Sequence, residues 1–287
     1  MVNLYPQLIK IPAFMTKFID IDNLGFFGKL YLILKGKLTI FVLKLNSKKT
    51  ICFYLNNFFS FQGKLLYENN FFVKKTNIEN IYYPNNRITR ILINQDKFLD
   101  HLFDSYLLNN IKFTNNDLVI DCGANVGELF LSFKNKETKV NYCGIEPDKN
   151  AFYCLNKNTN SENLNLCLSN KVGEVEFFID ELGANSSIHE SSTTYDKKVI
   201  NSITLNSAFK NKKIKLLKID AEGHELEVLE GGSEILKNID YISVDCGPER
   251  GIDQNTTFIK VNNFLLNNNF QLIDINKERL IALYKNE

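Results

Sequence analysis

The chain has 287 residues, which is enough for a complete hydrophobic core and additional segments around it. Its formal net charge is only +1, so there is no overall basic field that would attract nucleic acid. The six cysteines include no Cys-x-x-Cys pair, so neither a disulfide framework nor a zinc site is predicted. We therefore expect a protein of the reducing cytoplasm with buried thiols.

Residues 1 to about 50 are predicted to form a helical extension without a signal peptide. Its most apolar part, residues 24–45, is interrupted by four lysines and is not expected to span a bilayer. We expect a helix that packs on the rest of the protein or mediates self-association to a homo-oligomer. A basic amphipathic helix in peripheral contact with a membrane is the alternative.

Short aromatic and β-branched runs follow, and pairs of asparagine separate them, which is typical of β-hairpins. We expect strands at residues 51–55, 64–67, 71–73 and 88–93, and a helix over residues 98–107. The predicted domains are therefore a helical and hairpin extension over residues 1–110 and an α/β domain over residues 111–287.

From residue 118 onward, predicted strands alternate with predicted helices, as in a parallel sheet covered by helices on both faces. The last two strands, residues 270–275 and 280–284, are separated by only four residues. Such a short connection forms a hairpin, so one edge strand should be antiparallel. The sequence thus predicts a Rossmann-like α/β fold with a mostly parallel seven-stranded sheet.

A glycine-rich loop follows the first strand of this predicted sheet. The strand Leu118–Ile120 leads to Asp121 and then to Gly123-Ala-Asn-Val-Gly127. The spacing differs from the Gly-x-Gly-x-x-Gly of dinucleotide sites, and the carboxylate would repel a pyrophosphate. An acid at this position suits a cationic ligand such as S-adenosylmethionine. An ordinary strand–turn–helix connection is the alternative.

Three further acids end predicted strands. Glu146 follows the second strand, where a carboxylate could accept hydrogen bonds from both hydroxyls of a ribose, although it could also be a surface residue before a helix. Asp220 and Asp245 end two later strands. Ligands bind at the carboxyl ends of parallel strands, so we expect these acids and Asp121 to converge and to have raised pKa values.

Two segments, Asp121-Cys-Gly-Ala-Asn-Val-Gly127 and Lys218-Ile-Asp-Ala-Glu-Gly-His-Glu225, resemble the strongest motifs of the FkbM family of methyltransferases. The resemblance extends over about residues 118–285. It implies the class I methyltransferase fold, S-adenosylmethionine as cofactor and S-adenosylhomocysteine as product. Asn170 stands where an acid is expected near the adenine. The predicted cofactor-binding residues are Asp121, Gly123, Asn125, Gly127, Glu146, Pro147, Ser169, Asn170 and Asp220.

The resemblance also implies O-methylation of a hydroxyl, commonly on a sugar of a glycan or on a related small molecule. A hydroxyl must lose its proton during attack, and the candidate bases are Asp220, Glu222 and His224. The same three residues and Asp245 could hold a divalent ion, but the resemblance does not imply one, and no metal is predicted.

The acceptor is expected to bind at two loops. Asn185, Ser186 and Ser187 belong to a patch that resembles the family's serine-rich segment, and they could bond sugar hydroxyls. Asp245 lies at a neighbouring strand end, and Arg250 could hold a phosphate or carboxylate.

Two alternatives to a glycan-modifying enzyme remain open. A nucleic-acid methyltransferase would need a basic, aromatic-lined groove and usually a Pro-Pro-Tyr or Pro-Pro-Phe type of segment, and neither is present. A non-catalytic binding subunit would not need the acids and glycines at these strand ends.

Overall fold

The chain divides by its internal contacts into two compact units, Met1–Phe98 and Leu99–Glu287. The computed structural model describes residues 10–179, 196–251 and 253–287. The domain boundary after residue 110, inferred from the sequence, remains a prediction.

The first unit consists of helices followed by a small antiparallel sheet in the order β1-β2-β3. Short 3-10 helices at Ala13–Met15 and Asn86–Ile91 flank these elements. The elements are α1 (Phe26–Leu43), α2 (Lys48–Phe58), β1 (Lys64–Glu68), β2 (Phe71–Lys75) and β3 (Asn80–Tyr83).

One of the predicted hairpins is confirmed, and two of the predicted strands are wrong. β1 and β2 are joined through Asn69 and Asn70, whose φ values of 51° and 68° suit a tight hairpin turn. Residues 51–55 lie in α2, because Ser47 caps this helix by accepting a hydrogen bond from the Thr50 amide at 3.3 Å. Residues 88–93 lie mostly in a 3-10 helix that Asn85 caps in the same way. A short apolar run alone does not distinguish strand from helix.

The second unit alternates strands and helices. Short 3-10 helices occur at Leu108–Asn110 and Leu236–Asn238. α3 (Gln95–Ser105) precedes this unit's strands, and the remaining elements are β4 (Leu118–Cys122), α4 (Glu128–Asn135), β5 (Asn141–Ile145), α5 (Lys149–Thr159), β6 (Cys167–Leu168), β7 (Gly173–Ile179), β8 (Asp196–Ile203), α6 (Leu205–Ala208), β9 (Ile214–Ile219), α7 (Glu225–Glu230), β10 (Ile239–Asp245), β11 (Pro248–Arg250), β12 (Asn255–Thr256), α8 (Phe258–Leu266), β13 (Phe270–Asn276) and β14 (Ile281–Asn286).

The main sheet has the order β13-β14-β10-β9-β4-β5, and β5, β4, β9 and β10 are parallel neighbours. The predicted α/β class with a mostly parallel mixed sheet is confirmed. In detail, this sheet has six strands among the described residues, and its reversed strand is not at the edge. β14 is antiparallel to both β10 and β13, because the terminal hairpin places its second strand next to β10. β6, β7 and β8 form a separate sheet.

The centre of the main sheet is almost completely buried, as expected for strands covered on both faces. β9 contributes Leu217 and Ile219 to the principal core cluster, and β10 contributes Ile242 and Val244. The six cysteines are free thiols, and all except the half-buried Cys143 are buried. Within the described ranges, no helix is both long and apolar enough to cross a bilayer.

Candidate functional site

The carboxyl ends of four adjacent parallel strands each place an acidic residue at the same edge of the main sheet. Asp121 is the second-last residue of β4, and Glu146 directly follows β5. Asp220 directly follows β9, and Asp245 is the last residue of β10. The strand order therefore brings together the four acids that the sequence predicted to converge.

The glycine-rich loop connects β4 to α4 with a backbone that only glycine adopts easily. Gly123 and Gly127 have φ values of +76° and +85°, and Gly127 caps the N-terminus of α4. A Cβ atom at Gly123 would lie 1.9 Å from the carbonyl oxygen of Asp220. The amides of Gly123 and Ala124 both donate to the Ile145 carbonyl at 3.0 Å. The loop is thus held against two neighbouring strand ends.

Asp121 is not at the surface of this edge but is paired beneath it. Its side chain is 1% exposed, and its Oδ1 atom lies 2.9 Å from Nζ of Lys218, which is itself only 4% exposed. Its Oδ2 atom accepts a hydrogen bond from the Tyr142 hydroxyl. Burial opposes the charge of Lys218, but the attraction of Asp121 outweighs it and raises the pKa of this lysine well above its ordinary value. Lys218 and Asp121 therefore form a buried ion pair.

Asp220 lies at the mouth of the site and is surrounded by groups that stabilise its negative charge. Its Oδ2 atom accepts a hydrogen bond from the Tyr106 hydroxyl at 2.5 Å. The Lys218 Nζ and Arg279 Nη2 atoms lie 3.9 and 3.6 Å from the same oxygen. Arg279 also binds Oδ2 of Asp245 at 2.6 Å and lies over the Tyr106 ring. Because Lys218 is also paired with Asp121, one network connects three of the four strand-end acids.

Glu146 offers a buried carboxylate at the end of β5. Its Oε2 atom accepts a hydrogen bond from the Asn125 amide and its Oε1 atom from the Asp148 amide, both at 2.8 Å. Burial raises the pKa of Glu146 to about 7 even though these two bonds lower it. Asp148 in turn caps α5, and Pro147 lies between the two acids.

Two other acids near the carboxyl ends of the strands also have raised pKa values. Burial and the charge of Asp220 raise the pKa of Asp245 to about 6, against the opposing effect of Arg279. Burial and the same aspartate raise the pKa of Glu249 to about 8. Of the four strand-end acids for which raised pKa values were expected, Glu146 and Asp245 thus show a raised pKa.

The turn after β9 is organised by Glu225. This side chain is buried, and its Oε1 atom accepts hydrogen bonds from the amides of Ala221 and Gly223 at 3.2 and 2.8 Å. Its Oε2 atom accepts a hydrogen bond from the Thr257 hydroxyl at 2.8 Å. Burial raises the pKa of Glu225 to about 7. This residue fixes the turn that contains the candidate base Glu222.

His224 is buried and contacts Ser169 and Glu227. Its Nε2 atom lies 3.1 Å from the Ser169 hydroxyl, and its Nδ1 atom lies 3.6 Å from a Glu227 oxygen. Arg250 binds the same glutamate through two hydrogen bonds of 2.5 and 3.0 Å and the Gly223 carbonyl at 3.0 Å. The guanidinium that the sequence assigned to the acceptor thus forms an ion pair, and its contact with an acceptor remains a prediction.

The other predicted site residues are placed as follows. Asn170 donates a hydrogen bond to Glu230 at 2.9 Å, beside Ser169. Asn185, Ser186 and Ser187 lie outside the described residues. Carboxylate oxygens of Asp220, Glu222 and Glu249 lie within 4.8 Å of one another, a different set from the one considered for a metal in the sequence. The expectation that no metal is required remains a prediction.

Sequence reasoning did not identify several residues of this site. Lys218 is the first residue of the second family motif. It is a charged residue within an otherwise apolar strand, and this pattern could have indicated that it has a buried partner of opposite charge. Tyr106 and Arg279 gave no local signal, because they lie 114 and 59 residues from Asp220 in the chain. Glu249 belongs to a loop that the sequence singled out only for its arginine.

Comparison with known proteins identifies a methyltransferase family and a methyltransferase relative. The chain matches the family description "Methyltransferase FkbM domain" over residues 121–272, which is more than half of its length. It is 29% identical over 137 residues to hexuronic acid methyltransferase AglP of Haloferax volcanii, a match that covers 45% of this chain and 56% of that protein. The matched region thus spans little more than half of this curated relative.

Solved structures with similar folds share little sequence with this chain. The fibrillarin/Nop5p complex has a TM-score of 0.42 at 11% identity, covering 78% of this chain and 97% of that chain. A SAM-dependent methyltransferase from Aquifex aeolicus has a TM-score of 0.39 at 13% identity, covering 67% and 96%. The match to the family over more than half of the sequence, on a mostly parallel sheet with acids at its strand ends, shows that the chain belongs to the FkbM methyltransferase domain family.

Proposed function

We propose that the protein is an S-adenosylmethionine-dependent O-methyltransferase that acts on a hydroxyl of a sugar, a glycan or a related small molecule. The observation that carries this proposal is the buried carboxylate of Glu146 beside the glycine-rich loop of the family motif. Family membership supports methyl transfer, and the strand-end acids support a cationic cofactor.

Glu146 is suited to hold the ribose of the cofactor. Each of its oxygens accepts one backbone amide, so each retains capacity for a second donor. Two neighbouring hydroxyls of a ribose are such donors. The two amides fix the carboxylate in place before any ligand binds, which lowers the entropy cost of binding.

The remaining charges favour a cation at the mouth of the site. The positive charge of Lys218 is balanced by Asp121, and that of Arg279 by Asp245. Asp220 adds a further carboxylate at the end of β9. When bound, S-adenosylmethionine supplies an electrophilic methyl group on a positively charged sulfur, which a carboxylate rim attracts.

Among the predicted bases, we assign acceptance of the hydroxyl proton to Asp220, because it directly follows β9 and lies against the glycine-rich loop. The Tyr106 hydroxyl orients its Oδ2 atom, and its side chain is 18% exposed. His224 is buried and engaged by Ser169, which makes it a weaker candidate than its residue type suggested. Glu222 lies in the same turn, at a φ of +51°, and remains an alternative base.

A sugar acceptor is supported by the similarity to the Haloferax volcanii relative, a hexuronic acid methyltransferase. We assign hydrogen bonding of the sugar hydroxyls to Asn185, Ser186 and Ser187, and a supporting role to Asp245. Chemical analysis of the methylated product identifies the acceptor atom, either a hydroxyl oxygen or another atom.

The cofactor site is tested by calorimetric titration of S-adenosylhomocysteine into the wild-type protein and two variants. Glu146→Gln is expected to lose at least tenfold in affinity, because an amide accepts fewer hydrogen bonds than a carboxylate. Glu234→Gln, which changes an exposed glutamate, serves as the matched control and should bind as wild type does. Absence of binding to the wild-type protein would overturn the proposal.

The reaction is tested with methyl-labelled cofactor and a panel of sugars. Asp220→Asn is expected to lose at least a hundredfold in methyl transfer, as is typical when a general base is removed, and to lose much less in S-adenosylhomocysteine affinity. Mild alkali distinguishes the products, because it releases methanol from a methyl ester but leaves a methyl ether intact. An alkali-labile product would refute transfer to a hydroxyl and favour transfer to a carboxylate.

A further inference from the structure

Helix α1 has an apolar face that the described residues of its unit, 10–98, do not cover. Its exposed side chains recur every three or four residues and therefore form one narrow stripe along the helix. We call this set the α1 stripe; its members are Phe27 (82% exposed), Tyr31 (63%), Leu34 (59%), Leu38 (45%) and Phe41 (65%).

The opposite side of α1 packs inside the first unit, so the α1 stripe is a second apolar face on the same helix. Leu32, Ile33 and Val42 are buried. A Cβ atom at Gly36 would lie 2.8 Å from the side chain of Ile11, which shows how closely this side is packed. The Thr39 hydroxyl is hydrogen-bonded to the Tyr54 hydroxyl of α2 at 2.9 Å. The packing that holds α1 in place thus does not use the stripe.

Lysines flank the stripe on both sides. At the α-helical rotation of about 100° per residue, Lys35 lies about 80° from the centre of the stripe on one side, and Lys37 and Lys44 lie about 80–100° from it on the other. Lys37 and Lys44 are exposed, whereas Lys35 is half-buried with its Nζ atom 4.2 Å from the centre of the Phe59 ring. The stripe therefore has one lysine on one side and two exposed lysines on the other.

No acidic residue accompanies these lysines in the chain. Between Asp22 and Glu68 the sequence contains no aspartate or glutamate, and all its charged residues are lysines: Lys29, Lys35, Lys37, Lys44, Lys48, Lys49 and Lys64. This segment is strongly basic in a chain whose formal net charge is only +1. The positive charge is thus concentrated where the exposed aromatic side chains are.

A second copy of this helix is a poor partner for the stripe. Helices that pair along such a stripe bring their flanking residues together, in either orientation. Both flanks carry lysine and neither carries an acid, so each arrangement would place like charges side by side. A partner with negative charge and an apolar interior can contact the stripe and its flanking lysines at the same time.

We propose that the α1 stripe and its flanking lysines form a docking surface for an anionic lipid bilayer. Phenylalanine and leucine side chains would enter the boundary between the headgroups and the acyl chains, with Tyr31 at the level of the headgroups. The lysines would bind the negatively charged headgroups. The protein would lie on the bilayer without crossing it.

The test is co-sedimentation of the full chain with vesicles of phosphatidylcholine, alone or mixed with phosphatidylserine. We expect binding only to the mixed vesicles, and release at high salt because screening weakens the lysine contacts. The double variant Lys37→Glu/Lys44→Glu is expected to lose at least tenfold in binding. The control Lys210→Glu/Lys212→Glu changes the net charge equally at exposed lysines of the second unit and should bind normally.

The apolar contribution is tested separately. Phe27→Ser/Phe41→Ser is expected to lose at least tenfold in binding to the mixed vesicles. Val172→Ser/Ile259→Ser changes side chains that are 67% and 69% exposed in the second unit and should have no effect. Failure of the wild-type protein to bind mixed vesicles at low salt would overturn the proposal. So would a dimer in light scattering that the Phe27→Ser/Phe41→Ser variant abolishes, because a second copy would then cover the stripe.

Discussion

Replacing Lys218 by methionine removes the positive member of a buried ion pair while keeping most of its volume. The Nζ atom lies 2.9 Å from Oδ1 of Asp121 and donates hydrogen bonds to the carbonyls of Gly123 and Cys122 at 3.0 and 3.4 Å. Asp121 would keep its bond from Tyr142 but would be left as a buried charge without a counter-charge.

The expected cost follows from the burial of both partners. Their side chains are only 4% and 1% exposed, so solvent does not replace the lost partner. Removing one member of such a pair costs about 3–5 kcal/mol of unfolding free energy. The double variant Lys218→Met/Asp121→Asn removes both charges and should recover a large part of this loss.

Lys215→Met provides a matched control, because this residue also lies in β9 and is also paired with an aspartate. Its Nζ atom lies 3.1 Å from Asp240, but the two side chains are 21% and 32% exposed. Such a pair contributes about 0–1 kcal/mol. Urea unfolding followed by far-ultraviolet circular dichroism measures the midpoint and slope of each variant.

The contribution of Lys218 to the free energy of unfolding depends on pH with a definite sign. The pKa of Lys218 is raised in the folded state, so its stabilisation is complete below the unfolded value of about 10.4 and is lost as the pH rises through the folded value. Lys218 is therefore charged in both the folded and the unfolded state around neutral pH and contributes no pH dependence of its own there. A loss no larger than that of Lys215→Met would refute the buried ion pair as a major source of stability.

Three further predictions concern the site. S-adenosylhomocysteine affinity of the wild type should increase as the pH rises through about 7, where Glu146 becomes ionised, and calorimetry of Glu146→Gln should show no such step. Gly123→Ala should lose cofactor binding and about 2 kcal/mol or more of stability, because its Cβ would meet the Asp220 carbonyl at a φ of +76°. Gly25→Ala, with no atom within 4 Å of its Cβ, should lower the thermal unfolding temperature much less, through its position as the N-cap of α1 alone. Arg250→Gln should lower the unfolding temperature through loss of its ion pair, whereas an unchanged temperature with a raised acceptor KM would favour a direct contact with the acceptor.

Local sequence was sufficient for the elements on which the site is built. The run Leu118–Ile120 and the glycines after it predicted a buried strand and a close turn, and β4 and the positive φ values of Gly123 and Gly127 confirm both. The alternation of strands and helices predicted the parallel sheet, and parallel strands necessarily bring their carboxyl ends to one edge. Backbone conformation and burial periodicity are properties of a few consecutive residues, so a sequence displays them directly.

Local sequence failed where two structures satisfy the same short pattern. Residues 51–55 suit a strand by composition, but the cap at Ser47 and burial of Ile51 and Leu55 on one side select a helix. The terminal hairpin predicted a reversed strand, yet only the order of the sheet decided that β14 lies inside it, next to β10.

The partners of the strand-end acids were decided by the tertiary structure alone. Tyr106 reaches Asp220 across 114 residues of chain, and Arg279 reaches Asp245 across 34. Lys218 meets Asp121 because β9 and β4 are neighbours in the sheet. These contacts depend on which strands are adjacent and on how deeply each side chain is buried. The free energy of a buried charge depends on its neighbouring groups and on its exposure to solvent. The sequence therefore predicted which acids lie at the strand ends, and the tertiary structure determined which groups each acid is paired with.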